Sequence, residues 1–162
     1  RPHVHGDPIA FNHELSDQDL QRRIDRFHTP YHERVDECLT EVTRQNPEFF
    51  LLSVHTFTPE LGDEIRDLEV GLLFDHGQED YVRPVYDEIE AEGFDVRLNE
   101  PYSGKEGFIY SVERHGSNYG VRFLEIEIRN DLVDTAEGAE TIADGLSAAL
   151  NRVPWYNPET RE

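Results

Sequence analysis

The feature that most constrains the fold is an alternation of short apolar runs with segments whose apolar residues recur every three or four positions. The run from Phe49 to Val54 is almost continuously apolar, which is typical of a strand buried on both faces. We expect further strands over residues 68–74, 94–98 and 121–129. Strands that alternate with helices predict an α/β fold with a mixed, largely parallel sheet flanked by helices.

Four segments carry the helical period. The first follows Ser16, which with Asp19 resembles a capping box, and this helix is expected to bury Leu20, Ile24 and Phe27. The apolar faces of the other three helices are formed by Tyr31, Val35, Cys38, Leu39 and Val42, by Val82, Val85, Tyr86 and Ile89, and by Ala139, Ile142, Ala143, Leu146 and Leu150.

The charge balance limits the classes of partner. The chain carries 35 acidic and 15 basic residues, a formal net charge of −20, so it would repel a phosphate backbone and nucleic-acid binding is not expected. The regular apolar pattern argues against disorder. We therefore interpret the acidic excess as halophilic adaptation, because salt at about 1 M shortens the Debye length to about 3 Å and screens the repulsion.

The length of the chain and its residue usage indicate how many domains it forms and which cellular compartment is expected. Residues 1–162 suffice for one domain with a hydrophobic core. Cys38 is the only cysteine, so no internal disulfide forms and a reducing, cytoplasmic location is expected. No apolar stretch approaches the roughly 20 residues that span a bilayer, so no membrane partner is expected. The chain has no methionine and begins with a large residue, so we expect Arg1 to be internal to a longer protein and the domain to be partial.

His55 follows the first apolar run directly. Ligands of α/β sheets bind outside the carboxyl ends of strands, and a neutral imidazole at such a position is a good zinc ligand. The alternative is a histidine that hydrogen-bonds locally and closes a turn. The position alone leaves both interpretations open.

The last predicted strand carries Glu125, Glu127 and Arg129 on one face, because side chains alternate across a strand. One interpretation is a general base beside a metal, with the arginine orienting it. The other is a solvated face of cross-strand ion pairs, which is common in so acidic a chain. The alternation itself favours neither.

Three further segments carry polar groups that could reach a ligand. Residues 99–104 are rich in turn-forming residues and form either a lid or a connector. Arg66 lies in a polar loop, and its planar guanidinium can bind both oxygens of a carboxylate. His3, His5 and His13 lie in an irregular segment, so a metal role is not favoured for them.

Together these segments resemble the N-formylglutamate amidohydrolase family, which is related to the zinc carboxypeptidases. The matching blocks occur in the family's order and cover roughly residues 49–133, about half of the chain. They are Ser53-Val54-His55-Thr56-Phe57-Thr58-Pro59 with Gly62, Arg66 and Gly71, then Asn99-Glu100-Pro101-Tyr102-Ser103-Gly104, Arg114-His115, and Glu125-Ile126-Glu127-Ile128-Arg129-Asn130-Asp131-Leu132.

The resemblance implies roles for single residues. It makes His55 the last of three zinc ligands and Glu127 the general base, with Glu125 the weaker candidate. Arg1, followed by proline, resembles the end of the family's Asn-Arg pair, whose arginine is expected to grip a substrate carboxylate. Arg66 and Arg129 are further substrate-binding candidates, and Tyr102 lies in a loop expected to reach the substrate.

The implied reaction is hydrolysis of N-formyl-L-glutamate to formate and glutamate, a step of histidine catabolism, with zinc as the cofactor and a small acyl amino acid as the substrate. The family's first two zinc ligands precede the Asn-Arg pair, so this chain is expected to lack them and to have its amino-terminal part missing. A deacylase for another acyl amino acid, or a non-catalytic relative that acts as a binding module, remains an alternative. The oligomeric state is left open, and a homo-oligomer is one of the possibilities.

Overall fold

The structure is a computed structural model that describes residues 3–4, 7–12 and 14–155. These residues belong to two compact units, which divide between Pro47 and Glu48. Arg1, His5 and His13 lie outside the described residues, and so do the functional roles considered for them.

The first unit is mainly helical. A two-stranded antiparallel hairpin pairs β1 (His3–Val4) with β2 (Asp7–Pro8). Helix α1 (Asp17–Arg23) is followed without a break by a π-helical turn (Ile24–His28) and by α2 (Thr29–Gln45). Ser16 caps α1, since its hydroxyl oxygen accepts a hydrogen bond from the Asp19 amide at 3.1 Å, as the sequence predicts.

Several residues predicted to lie on buried helical faces of the first unit are exposed, so the prediction of their burial is wrong. Leu39 is buried, but Leu20 and Phe27 expose 48% and 63% of their surface, and Cys38 is exposed as well. Helical spacing fixes which residues share a face, whereas burial also requires a neighbouring surface that covers them. The sequence pattern indicates which residues share a face, but it does not indicate what covers that face.

The second unit contains the main sheet, and its strands are named here in chain order. They are β3 (Phe50–Phe57), β4 (Glu60–Leu61), β5 (Glu64–Ile65), β6 (Val70–Leu73), β7 (Val96–Leu98) and β8 (Arg122–Arg129). Strands β4 and β5 form a small antiparallel hairpin. The other four form one sheet in the order β3-β8-β6-β7. Two neighbour pairs, β3 with β8 and β6 with β7, are parallel, and β6 runs antiparallel to β8. The predicted mixed, largely parallel sheet is confirmed.

Helices cover both faces of this sheet. Helices α3 (Glu79–Ala91) and α5 (Ala136–Arg152) pack on one face, and α4 (Tyr110–Tyr119) packs on the other. The larger core includes Val70, Leu72, Leu124 and Ile126 from the strands and Val85, Ile89, Ile142 and Leu146 from the helices. Each such buried side chain contributes about 1.5–3 kcal/mol to folding, so this core anchors the strands whose other face carries polar side chains.

Strand β3 differs from its prediction. Among the described residues it pairs with β8 alone, so it forms an edge of the sheet, and Val54 exposes 62% of its surface. The prediction of a strand buried on both faces is therefore wrong. An apolar run shows that a strand is buried on average, but it does not say whether a second strand lies beside it.

None of the helices in the described part of the chain is both long enough and apolar enough to span a bilayer.

Candidate active site

The strand register brings the predicted metal ligand and the predicted base together. In the parallel pair β3–β8, His55 lies opposite Glu127 and Ser53 lies opposite Glu125. On the other side of β8, Gly71 of β6 pairs with Glu127. Residues paired across a ladder share a face, so the histidine and both carboxylates lie on one face of the sheet, the face on which α4 packs.

Both carboxylates are buried. Glu125 and Glu127 expose only 4% and 6% of their surface. The interpretation of this strand face as solvated, with exposed ion pairs, is therefore wrong. Buried carboxylates are costly unless they are partnered or functional, so Glu125 and Glu127 are candidates for a functional role.

The environment of Glu127 suits proton transfer. Burial, and then the charge of Glu125, raises the pKa of Glu127 from 4.5 to about 7, while His55 and Arg66 act in the opposite direction. Its Oε2 atom is buried and accepts no hydrogen bond from any residue that the structure describes. A carboxyl group that titrates near neutral pH is suited to general acid–base chemistry.

Glu125 lies beside His55. The distance between His55 Nε2 and Glu125 Oε2 is 3.7 Å, longer than a hydrogen bond, and the imidazole is 55% exposed whereas the carboxylate side chain is 5% exposed. Burial raises the pKa of Glu125, and the charge of His55 and a hydrogen bond from the Ser53 side chain oppose that shift. Ser53 is thus a site residue that the sequence analysis did not single out.

Arg66 and Tyr102, both predicted to bind substrate, contact each other. Arg66 Nη1 donates to the Tyr102 hydroxyl at 3.0 Å, and Arg66 Nη2 lies 3.3 Å from Glu64 Oε2. The Arg66 side chain is only 2% exposed, and its Nε atom has no hydrogen-bond acceptor among the described residues. The Tyr102 ring in turn stacks on Phe108, with 5.3 Å between the ring centroids. Their roles toward a substrate stay predictions.

The loop over residues 99–104 lies directly on strand β6. An added Cβ on Gly71 would come 2.0 Å from the Glu100 carbonyl oxygen, so glycine is what lets the loop approach the strand beside Glu127. Asn99 fixes the loop, because its side-chain oxygen accepts hydrogen bonds from the amides of Phe74 at 3.1 Å and Gly104 at 3.0 Å. The loop is therefore bonded to the end of β6 as well as joined to its neighbours in the chain.

Helix α4 was not predicted from the sequence. Its inward positions include His115 and Gly116, both buried, which break the apolar period. A Cβ on Gly116 would lie 2.2 Å from the Phe123 ring, so the glycine allows the helix to approach β8 closely. Arg114 and His115, one of the blocks that resemble the family, are thus part of a helix that packs on the site face.

Arg129 ends strand β8, two residues beyond Glu127, and its side chain is 18% exposed. Its guanidinium bonds to Asp131 and to the backbone that precedes β6. These contacts are with protein groups, and the predicted substrate-binding role of Arg129 stays a prediction.

A zinc site needs several nitrogen, sulfur or carboxylate donors from the protein. His55 offers an exposed imidazole beside carboxylates, which is chemistry that suits zinc. Among the described residues, however, no group of three or more histidine, cysteine, aspartate or glutamate side chains is placed to hold a metal. Catalytic zinc normally has three protein ligands, so the described part of the chain supplies a portion of a zinc site at most.

The chain is similar to known proteins in both sequence and structure. The family model described as N-formylglutamate amidohydrolase matches residues 2–133. The gene product Atu2144 from Agrobacterium tumefaciens has a similar structure, with a TM-score of 0.80 and 24% sequence identity over 93% of this chain and 61% of that chain. N-formylglutamate amidohydrolase from Ralstonia eutropha JMP134 is similar with a TM-score of 0.63 and 23% identity over 86% of this chain and 56% of that chain. None of the curated proteins matches.

These comparisons agree with the fold. At such identities the two solved structures show a shared architecture, and this chain spans 61% and 56% of their lengths. Fold and site define a mixed α/β protein with a histidine and two buried carboxylates on one face of its sheet. The extent of the family match shows more: the chain belongs to the N-formylglutamate amidohydrolase family.

Proposed function

We propose that the protein hydrolyses the amide bond of an N-acyl amino acid, N-formyl-L-glutamate in the first instance, and that it uses zinc held in part by His55. The observation that carries the proposal is the buried Glu127, whose pKa is raised to about 7, on the same sheet face as His55. The family to which the chain belongs supplies the reaction class.

The proposed chemistry adds water across the amide. The water oxygen forms a bond to the acyl carbon, the carbon–nitrogen bond breaks, and the products are formate and glutamate. Zinc, when bound, would polarise the acyl carbonyl and lower the pKa of its water. Glu127 accepts the proton from water and delivers it to the departing amine nitrogen, which a carboxyl group that titrates near neutral pH can do in both directions.

The surrounding residues support Glu127 in this role. The positive charge of the buried Arg66 favours the ionised form of Glu127, while burial favours the protonated form. Tyr102 holds the Arg66 guanidinium from the loop that covers Gly71. These opposing influences keep both protonation states accessible in the neutral range.

The proposal also specifies which acyl group is removed, namely formyl. A pocket for formyl differs from one for acetyl or succinyl in volume, so a panel of N-formyl-, N-acetyl- and N-succinyl-L-glutamate would identify the preferred substrate. A small acyl amino acid as substrate, a cytoplasmic location and a place in histidine catabolism are parts of the same proposal.

A second candidate function follows from the metal-donor count. Because the described residues do not complete a zinc site, a non-catalytic relative that binds an acyl amino acid is the alternative. It predicts binding of N-formyl-L-glutamate without turnover, and isothermal titration calorimetry on the same preparation would distinguish the two.

The test is an assay of the purified chain in molar KCl with added zinc, in which formate and glutamate are both measured. Glu127→Gln keeps the shape of the side chain but removes the base, so turnover is expected to fall at least 100-fold. Glu140→Gln, an exposed change on α5, is the matched control and should keep full turnover. Full turnover by Glu127→Gln would refute the assigned role, and binding without turnover in the unaltered chain would favour the second candidate.

A further inference from the structure

The guanidinium of Arg129 is directed at protein groups. Its Nε donates to Asp131 Oδ1 at 2.8 Å, and its Nη1 donates to the carbonyl oxygen of Asp67 at 2.6 Å, with the Leu68 carbonyl oxygen at 3.4 Å. The bond to the Asp67 carbonyl comes from a charged donor at 2.6 Å and is among the stronger kinds of hydrogen bond in proteins, whereas the contact with the Leu68 carbonyl is long. The nitrogens Nε and Nη1 are therefore engaged by the fold.

The backbone that Arg129 holds is the segment that carries Arg66. The Arg66 amide donates to the Pro59 carbonyl at 2.8 Å, and the Asp67 carboxylate lies 2.9 Å from Arg97 Nη2. Leu68 is 2% exposed, and the Arg129 amide donates to the Glu69 carbonyl at 2.9 Å. This short segment is thus fixed from several sides, and Arg129 provides both a side-chain and a backbone bond to it.

The same strand carries the proposed base. Glu127 and Arg129 are two residues apart on β8 and therefore point to the same face of the sheet. Arg129 ties the strand that presents Glu127 to the segment that presents Arg66. Arg66 lies in the loop between β5 and β6, so its position relative to Glu127 is set by bonds such as this one and its own bond to Tyr102, and not by strand pairing.

We propose that Arg129 is a positioning residue for the hydrolysis proposed above: by holding the Asp67 and Leu68 carbonyls it fixes the segment that carries Arg66 relative to the strand that carries Glu127, and it does not touch the substrate. The proposal rests on the proposed function for its catalytic consequence. It assigns to Arg129 a role different from the substrate-binding role expected from the sequence, and it requires other groups to bind the substrate's carboxylates.

The first measurement needs no turnover. Hydrogen–deuterium exchange would be followed in the unaltered chain, in Arg129→Ala and in Arg129→Lys, in molar KCl. Arg129→Ala is expected to speed exchange of the Arg66 amide about tenfold or more, since charged hydrogen bonds to that segment are lost. Arg129→Lys, which can still donate to one carbonyl, should restore part of the protection, and Arg152→Ala, which removes a guanidinium bound to Glu88 and Glu92, should leave it unchanged.

The second measurement separates positioning from substrate contact. In the zinc-loaded assay, a positioning role predicts that Arg129→Ala lowers kcat at least tenfold while KM changes less than threefold, with partial recovery in Arg129→Lys. A substrate clamp predicts a large rise in KM with kcat retained, and that result would overturn the proposal. Unchanged exchange at Arg66 in Arg129→Ala would overturn it as well. If the unaltered chain has no turnover, the proposed function fails, while the exchange data still decide whether Arg129 holds the Arg66 segment.

Discussion

His55 and Glu127 lie directly opposite each other on the parallel strands β3 and β8. Adjacent strands are about 4.8 Å apart, so the exposed imidazole and the buried carboxylate are neighbours whose spacing is fixed by a continuous ladder of backbone hydrogen bonds. The proposed ligand and the proposed base are therefore positioned by the rigid part of the second unit. Arg66 and Tyr102, by contrast, lie in loops outside these strands.

Replacement of the base should stabilise the metal-free protein. Burial raises the pKa of Glu127 from 4.5 to about 7, so the folded state favours its protonated form. The stability from this effect is complete below the unfolded pKa and is lost as pH rises through about 7. Glu127→Gln should therefore stabilise the protein at pH 8 by roughly 2–3 kcal/mol more than at pH 5, as measured by urea unfolding with EDTA and molar KCl. Glu140→Gln serves as the control, and a loss of stability at pH 8 in Glu127→Gln would contradict the prediction.

Gly71 should tolerate no side chain. In Gly71→Ala the new methyl group would meet the Glu100 carbonyl oxygen, 2.0 Å away, so either the loop or the strand must move. We expect a loss of about 1–3 kcal/mol of unfolding free energy and faster proteolysis within residues 99–104. The comparison is Gly77→Ala, at a left-handed position with open space around it, which should destabilise the protein without exposing that loop to protease. Equal proteolysis in the two variants would argue against the close approach.

The sequence predicts the sheet better than it predicts the site. Alternation in β8 places Glu125 and Glu127 on one face, and the structure agrees. Their burial could not be read from that pattern, because burial depends on segments elsewhere in the chain, and the structure places α4 on the same face of the sheet and the 99–104 loop on Gly71. The helix itself was missed because His115 and Gly116 fill inward positions that are normally apolar.

The contact partners of the arginines could not be predicted from the sequence either. Residue type indicates that Arg66 and Arg129 can bind carboxylates, but it does not reveal which acceptor each one finds. In the structure Arg66 meets Tyr102 and Glu64, and Arg129 meets backbone carbonyls. Glu64 is only two positions from Arg66, but the pairings of Arg66 with Tyr102 and of Arg129 with Asp67 span 36 and 62 positions, and local patterns do not encode contacts over such distances in the sequence.

The partly buried Tyr81 should make the stability of the protein fall at alkaline pH. Its hydroxyl donates to the Phe123 carbonyl at 3.2 Å, and burial raises the pKa of Tyr81 from 10.0 to about 12. The folded state holds the phenolic proton more tightly, so this contribution to stability is complete below pH 10 and falls away as pH rises toward 12. Tyr81→Phe should lose about 0.5–1.5 kcal/mol at pH 8 but show a weaker decline between pH 10 and 12 in denaturant unfolding. The exposed Tyr110→Phe is the control, and an unaltered decline in Tyr81→Phe would refute the assignment.

The acidic surface should make stability depend on salt. With a net charge of −20, repulsion among carboxylates opposes folding at low ionic strength, and salt weakens it as the Debye length falls from about 10 Å at 0.1 M to about 3 Å at 1 M. The melting temperature is therefore expected to rise steadily with KCl, and sorbitol of equal osmolarity, which screens no charge, should raise it less. Replacing three exposed acids of α5 (Glu137→Gln, Glu140→Gln and Asp144→Asn) removes three negative charges, so the net charge changes from −20 to −17 and the dependence on KCl should be reduced. A melting temperature that stays flat across KCl concentrations would exclude halophilic adaptation as the reason for the acidic excess.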